Sequence, residues 1–404
     1  MRSILGTFAL GTAMALAPLD AETVKDREGA VRGDREKMAD DARWIYNDIN
    51  RGFAEATATG KPLLVVLRCV PCLACLGLDA GILQAGTLAP LLDEFVCVRV
   101  INANALDLAR FQFDYDLSFS SLFFNGDGTL YARFGSWKHQ RDPDEAATAG
   151  FGATLRAVLD IHGHFPENRS SLAGKQGRET PFATPLVIPA LAGRYGRELD
   201  WQGDVVKSCV HCHEIGDALR ASYRDGGDAI PRNLIYPMPP PEVLGFGLAA
   251  DQAATVSGVE EDSAAAAAGL RSGDRLVSLA GQPLASAADV AWVLHHAPED
   301  GSLHALVERG GDPVEVVLAL PEGWRMRADI SRRVGTWPMR AMAFGGMKLE
   351  DLDDAGRARF GSGAERLALV AEHVGQYGAH AAAKKAGFVA GDILTEIDGI
   401  GRRM

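Results

Sequence analysis

Cysteine is scarce in this chain, 6 residues in 404, yet three of the six fall in Cys69-Val-Pro-Cys72-Leu-Ala-Cys75. Such scarcity excludes a scaffold built from disulfides and leaves each thiol to be explained by its position. Aromatic residues are few as well, at 7%. No apolar run after the N-terminus reaches the length that spans a hydrocarbon core of roughly 30 Å, because charge, glycine or proline interrupts each one. Basic residues are dispersed and the formal net charge is -12, so the chain carries no electrostatic footprint for nucleic acid or an anionic membrane. Hydrophobic residues make up 47%, enough for about three domains of ordinary size.

The N-terminus has the form of a secretory signal. Met1-Arg2 opens it, residues 4–17 are apolar and uncharged, and small residues follow, with Ala21 ahead of Glu22 as the cleavage point. The apolar run is too short for a spanning helix. Residues 1–21 are therefore expected to be removed, leaving a periplasmic or otherwise extracytoplasmic protein with no membrane span; a retained anchor is the alternative.

Two further cysteines stand in Cys209-Val-His-Cys212-His213, a CxxCH motif. Two thiols at this spacing can add to the vinyl groups of haem, and the adjoining imidazole can take the proximal position on the iron. The motif is expected to hold a covalent haem c, with His213 on the iron. Met238, in the proline loop Tyr236-Pro-Met-Pro-Pro-Pro241, is the candidate sixth ligand. The chemical alternatives are a disulfide or redox dithiol, and zinc, which needs a fourth ligand. The surrounding segment, residues 165–243, is rich in glycine, proline and arginine and poor in apolar residues. A porphyrin would supply its missing hydrophobic nucleus.

Residues 38–163 read as a compact α/β domain. Trp44, Ile49 and Phe53 recur at helical spacing, residues 63–67 and 95–100 read as buried strands, and residues 121–124 and 129–134 form a hairpin about Asn125-Gly-Asp-Gly128. Asp142-Pro143 begins a helix running to about residue 161. Cys97, inside a strand, is expected to be a small buried hydrophobe.

The C-terminal part holds an internal repeat. Ala268-Gly-Leu-Arg-Ser-Gly-Asp-Arg-Leu-Val-Ser-Leu-Ala-Gly281 recurs as Ala386-Gly-Phe-Val-Ala-Gly-Asp-Ile-Leu-Thr-Glu-Ile-Asp-Gly399. Both copies resemble the core of a bacterial PDZ domain. The first copy, residues 244–320, is complete, with its groove helix at 287–296 and last strands at 303–309 and 314–320. The second, residues 340–404, is truncated, ending before the helix and strands that should follow. The resemblance implies that the loop Leu244, Gly245 and Phe246 holds the C-terminal carboxylate of a partner peptide that adds as a strand. No serine, histidine and aspartate arrangement accompanies the repeats, so no protease domain is expected.

The strand at 63–67 followed by the cysteine cluster resembles a thioredoxin-fold active site. The resemblance implies that Cys72 and Cys75 form its CxxC, with Cys72 the nucleophile at a helix start and Cys75 the resolving thiol. Cys69 is extra. The matching stretch for the family's cis-proline, Leu117-Ser-Phe-Ser-Ser121, has no proline. The whole order of parts resembles a bacterial group of exported thioredoxin-fold plus PDZ domain-containing (seleno)proteins, with cysteine at every motif position here. The expected function is thiol-disulfide exchange and electron transfer with protein partners recruited by PDZ modules. A non-catalytic PDZ scaffold of the cell envelope with structural cysteines is the alternative.

Overall fold

A computed structural model describes residues 26–70, 86–135, 145–331 and 333–403. Its N-terminal part runs α1 (Arg27–Ala39), β1 (Trp44–Tyr46), α2 (Ile49–Thr59), β2 (Leu63–Arg68), α3 (Ala89–Leu92), β3 (Val96–Val100), β4 (Phe119–Phe124), β5 (Leu130–Phe134) and α4 (Glu145–Gly163). The five strands form one sheet in the order β1-β3-β2-β4-β5, parallel through β1, β3 and β2 and antiparallel beyond. β2 is apolar throughout because both faces are covered: Leu64 and Val66 pack with Phe123, Phe151 and Leu155, and Leu63, Val65 and Leu67 with Ala56, Val98 and Leu122. The Asn125 turn closes the hairpin, with Asn125 N–H donating to the Thr129 carbonyl at 2.8 Å. Cys97 is buried, which pushes its thiol up to about 12.

One local expectation is corrected. Trp44 lies in a strand and not in the helix with Ile49 and Phe53, because Asn47 turns the chain at φ 56 and the Asp48 carboxylate caps α2 by accepting from Arg51 N–H at 2.9 Å. Before it, Asp34 of α1 pairs with the buried Arg99 of β3.

Residues 165–243 have an apolar nucleus made of side chains, contrary to the expectation that a porphyrin supplies it. The segment borrows its core from the sheet domain: Leu108 joins Ile188, Leu191, Val210, Ile215 and Ala218, while Val31, Val70 and Ile101 join Leu199 and Val205. Polar pins fix the docking. The fully buried Asn104 donates to the carbonyls of Gly196 at 2.7 Å and Ser208 at 2.8 Å and accepts from Val210 N–H at 2.7 Å. The Glu28 carboxylate of α1 accepts from the N–H groups of Val205 and Val206 at 3.1 and 2.9 Å. Helices α5 (Cys212–Gly226) and α6 (Arg232–Ile235) complete the segment.

The first repeat contains β6 (Phe246–Leu248), β7 (Val256–Val259), α7 (Ala264–Ala267), β8 (Arg275–Leu279), β9 (Gln282–Pro283), α8 (Ala287–His296), β10 (Gly301–Arg309) and β11 (Asp312–Leu320). Sheets β6-β7 and β11-β10-β8-β9 enclose one core with α8. The second copy has α9 (Thr336–Phe344), β12 (Met347–Asp351), α10 (Asp354–Phe360), β13 (Leu369–Val374), α11 (Ala382–Lys385) and β14 (Ile393–Leu394), with sheet order β12-β13-β14. Its repeated turn has the same build as the first. Gly273 and Gly391 take φ of 89 and 94, which side chains disfavour, and the following Asp274 and Asp392 each accept a backbone N–H at 2.9 Å, from Arg271 and Val389.

The first repeat is locked to the sheet domain at the outer edge of β5. Arg133 N–H donates to Asp289 Oδ1 at 3.0 Å and the Arg133 carbonyl accepts from Ser286 Oγ, so the start of α8 covers a strand edge that would otherwise be exposed. Asp289 also accepts from Ala285 N–H at 3.0 Å and pairs with Lys175 Nζ at 2.8 Å, both side chains being 1% exposed. Removing one partner of a buried pair strands the other charge, at a cost of about 3–5 kcal/mol. Asp289→Ala is therefore expected to lower the unfolding free energy by that amount in urea titrations and to split unfolding of the two domains into separate transitions. A single transition within about 1 kcal/mol of wild type would refute this.

Candidate functional site

Helix α5 begins at the second cysteine of Cys209-Val-His-Cys212-His213. The Glu214 carboxylate holds that start by accepting His211 N–H at 2.9 Å, and Tyr195 Oη donates to it at 2.8 Å. With Asn104 and Glu28 fixing the preceding loop, the motif is set against the ends of β2 and β3. Cys69, Cys209, His211 and Cys212 line one cavity there, together with Val70, Ile101 and Val205.

The thiols of this cluster differ in setting. Cys69 Sγ lies 3.4 Å from His211 Nδ1, a thiol–imidazole contact between residues 142 positions apart. Burial, and next the neighbouring His213, lowers the His211 pKa below 6.5, so its ring is neutral at pH 7 and able to take a proton. His213 stacks on His211 with ring centroids 5.7 Å apart. Cys209 donates to the Ile101 carbonyl at 3.2 Å, and burial pushes its thiol up to about 11. Cys212 packs beside the sheet core near Tyr115. Cys97 and Cys209 are free thiols. Cys72 and Cys75, the expected redox pair, lie outside the described residues.

As placed, these residues do not fit a haem. The cavity beside Cys69, Cys209 and Cys212 measures about 30 Å³, the share of a single water, against roughly 300–1,000 Å³ for a site that holds a molecule of drug size. Cys209 is already bonded to the sheet domain. Met238, the expected sixth ligand, is brought elsewhere: it turns at φ 44, donates its N–H to His295 Nδ1 at 3.3 Å, and lines two other cavities, neither bordered by Cys209, Cys212 or His213.

A larger cavity, about 720 Å³, lies between the first repeat and the sheet domain. From the repeat it takes Leu248 of β6 with Val243 and Ala249 on either side of that strand, and Ala287, Ala288 and Ala291 along α8, the two walls of the expected peptide groove. Leu244 and Phe246 instead fill the core of the repeat, and Gly245, at φ 85, donates its N–H to the Glu242 carbonyl at 3.0 Å. From the sheet domain the same cavity takes Leu117, Ser120, Arg133 and Gly135. Sequence reasoning missed His211 as a site residue. Its partner comes from a distant part of the chain, and no local spacing signals it.

Cys209 generates a pH prediction. Its proton is held above the unperturbed range in the folded state, so the stability it contributes is present below about pH 9 and is lost as the pH rises through about 11. Alkylation of Cys209 by iodoacetamide, followed by mass spectrometry, is expected to keep accelerating between pH 9 and 11. A plateau by pH 9 would contradict the burial argument.

A search of curated proteins found no match. A thioredoxin-like family model matches residues 44–126 and a PDZ-domain model matches residues 255–309, so the chain combines a thioredoxin-like domain with a PDZ domain.

Proposed function

We propose that the chain is an exported thiol-disulfide exchange protein. In it the Cys72-Leu-Ala-Cys75 dithiol of the thioredoxin-like domain works with a second dithiol, Cys209 and Cys212, on partners recruited by the PDZ domain. The observation that supports this reading is the meeting of Cys69, Cys209, His211 and Cys212 around one cavity. Cys69 precedes Cys72 by three residues in the sequence. Export rests on the pattern of residues 1–21, and the second repeat is taken as a further PDZ-like unit.

The chemistry is a chain of thiolate displacements. Cys72 attacks a disulfide sulfur of the partner, whose other sulfur leaves as thiolate and takes a proton. Cys75 then attacks the Cys72 sulfur, releasing the partner's second thiol and leaving a Cys72–Cys75 disulfide; the partner gains two electrons and two protons. Cys209 and Cys212 reverse that oxidation by the same two displacements and end as a disulfide, which an external dithiol protein reduces. His211 takes the proton of Cys69 and returns it as thiols exchange along the cavity.

In an insulin-reduction assay, Cys72→Ser is expected to abolish exchange, while Cys75→Ser accumulates a mixed disulfide visible on non-reducing gels. Trapping by Cys72→Ser instead would reverse the two roles. Cys209→Ser/Cys212→Ser is expected to retain a single turnover and lose multiple turnover. If no variant changes any thiol reactivity, the scaffold reading stands in place of this one.

Pyridine haemochrome spectra decide between the two chemistries of the CxxCH motif. The protein made together with haem-maturation machinery is expected to be colourless. A c-type band near one haem per chain would overturn the dithiol role of Cys209 and Cys212.

A further inference from the structure

Cys69 stands outside both dithiols, yet the fold gives it a base. Its Sγ lies 3.4 Å from His211 Nδ1. The imidazole is held in place, because the His211 N–H donates to the Glu214 carboxylate at 2.9 Å and the ring stacks on His213 with centroids 5.7 Å apart. Cys69 is held as well: its N–H donates to the Ser118 carbonyl at 3.0 Å, and its carbonyl accepts from Arg68 Nη1 at 3.3 Å. A nucleophile within hydrogen-bond reach of an oriented base is the arrangement that activates a thiol.

The surroundings select what such a thiol can attack. Cys69 and His211 are half-buried, and the void they border measures about 30 Å³, the share of a single water. Its other walls include Val31, Val70, Ile101, Leu199 and Val205. Room of that size admits an oxidant as small as hydrogen peroxide and excludes bulky organic hydroperoxides. Cys212 borders the same void, which supplies the second thiol that an oxidised cysteine needs to be resolved. Cys209 borders it too, but its sulfur is engaged with the Ile101 carbonyl at 3.2 Å, and the buried Cys97 does not line it.

We infer that Cys69 reduces hydrogen peroxide, with His211 as its base and Cys212 as the resolving thiol. The Cys69 sulfur, its proton taken by His211, attacks one peroxide oxygen. The O–O bond breaks, the departing hydroxide takes the proton from His211 and leaves as water, and the sulfur is oxidised by two electrons to a sulfenic acid. Cys212 then attacks that sulfur: the S–S bond forms, the S–O bond breaks, and hydroxide leaves with the Cys212 proton as a second water. The product is a disulfide joining the end of β2 to the start of α5. This reaction needs the cysteines of the CxxCH motif as thiols, but it does not rest on exchange at Cys72 and Cys75.

Peroxide titration of the full chain carrying Cys72→Ser/Cys75→Ser tests the inference. The protein is reduced, freed of reductant, treated with equimolar hydrogen peroxide, blocked with N-ethylmaleimide and mapped by mass spectrometry. A Cys69–Cys212 disulfide is expected. Adding Cys212→Ser is expected to leave Cys69 as a sulfenic acid that dimedone labels, and adding His211→Gln to slow loss of the Cys69 thiol about 100-fold, the usual worth of a positioned base. Folded protein is expected to react with hydrogen peroxide faster than urea-unfolded protein, and to exclude cumene hydroperoxide until urea opens the fold. Circular dichroism establishes that each variant folds; if His211→Gln does not, the comparison of folded with unfolded chain carries the test. The inference is overturned if Cys69 reacts no faster in the folded chain, if dimedone marks Cys209 or Cys212 ahead of Cys69, if peroxide joins Cys209 to Cys212 instead, or if folded His211→Gln keeps the original rate. Peroxide reactivity that persists in this background while the unsubstituted chain fails to reduce insulin would sink the thiol-exchange reading alone.

Discussion

One carboxylate ties the two domains together. Asp289 lies in the first turn of the PDZ helix, where a helix dipole favours negative charge, and that position explains why its residue type looks unremarkable in the sequence. Its actual load is larger. It neutralises the buried Lys175 from the connecting segment, accepts the backbone N–H of Arg133 at the edge of β5, and caps its own helix through Ala285. A buried ion pair gives little net stability compared with a well-packed apolar core, but it is demanding of geometry. The relative placement of the thioredoxin-like sheet and the PDZ helix is set by that demand.

From this constraint the two cavities follow. Because α8 begins on the edge of β5, the groove between α8 and β6 opens against the sheet and not against solvent. At the other end of the same sheet, the segment after α4 cannot build a core alone. It fills the gap with Leu108, Val70 and Ile101, and the burial this requires brings the CxxCH loop down onto Cys69. The peptide groove and the thiol cluster thus touch the same strand ends, linked by the bond between Cys69 N–H and the Ser118 carbonyl.

The sheet and the first repeat were legible in the sequence where burial imposes a pattern. The strand at 63–67 reads as continuous apolar residues because both its faces are covered, the hairpin declares itself in Asn125-Gly-Asp-Gly128, and α8 spans the residues expected for the groove helix. Trp44 was misread because a tight turn at Asn47 and a cap at Asp48 break a helical spacing that composition alone leaves intact. The segment around Cys209 was harder still. Its low apolar content is real, but the deficit is met by residues of another domain, and no count within the segment can reveal a core that is shared. For the same reason the motif gives no sign that the His211 ring contacts the thiol of Cys69, 142 positions away.

The chemistry of the motif turns on how its electrons are counted. A haem iron accepts one electron at a time, whereas a thioredoxin-like dithiol surrenders two together, so a chain joining them needs an intermediate that can hold a single electron. Two dithiols have no such mismatch, since each displacement moves an electron pair between sulfurs. The setting of Cys209 suits a reserve partner: buried, bonded to the Ile101 carbonyl and with its thiol pushed up to about 11, it is a poor nucleophile toward solvent oxidants. As a leaving thiol it is equally poor, so a disulfide between the two opens more readily by attack on the Cys209 sulfur with Cys212 leaving as thiolate. The cavity beside them, about 30 Å³, is too small for a porphyrin, whereas a displacement between sulfurs needs no space of ligand size.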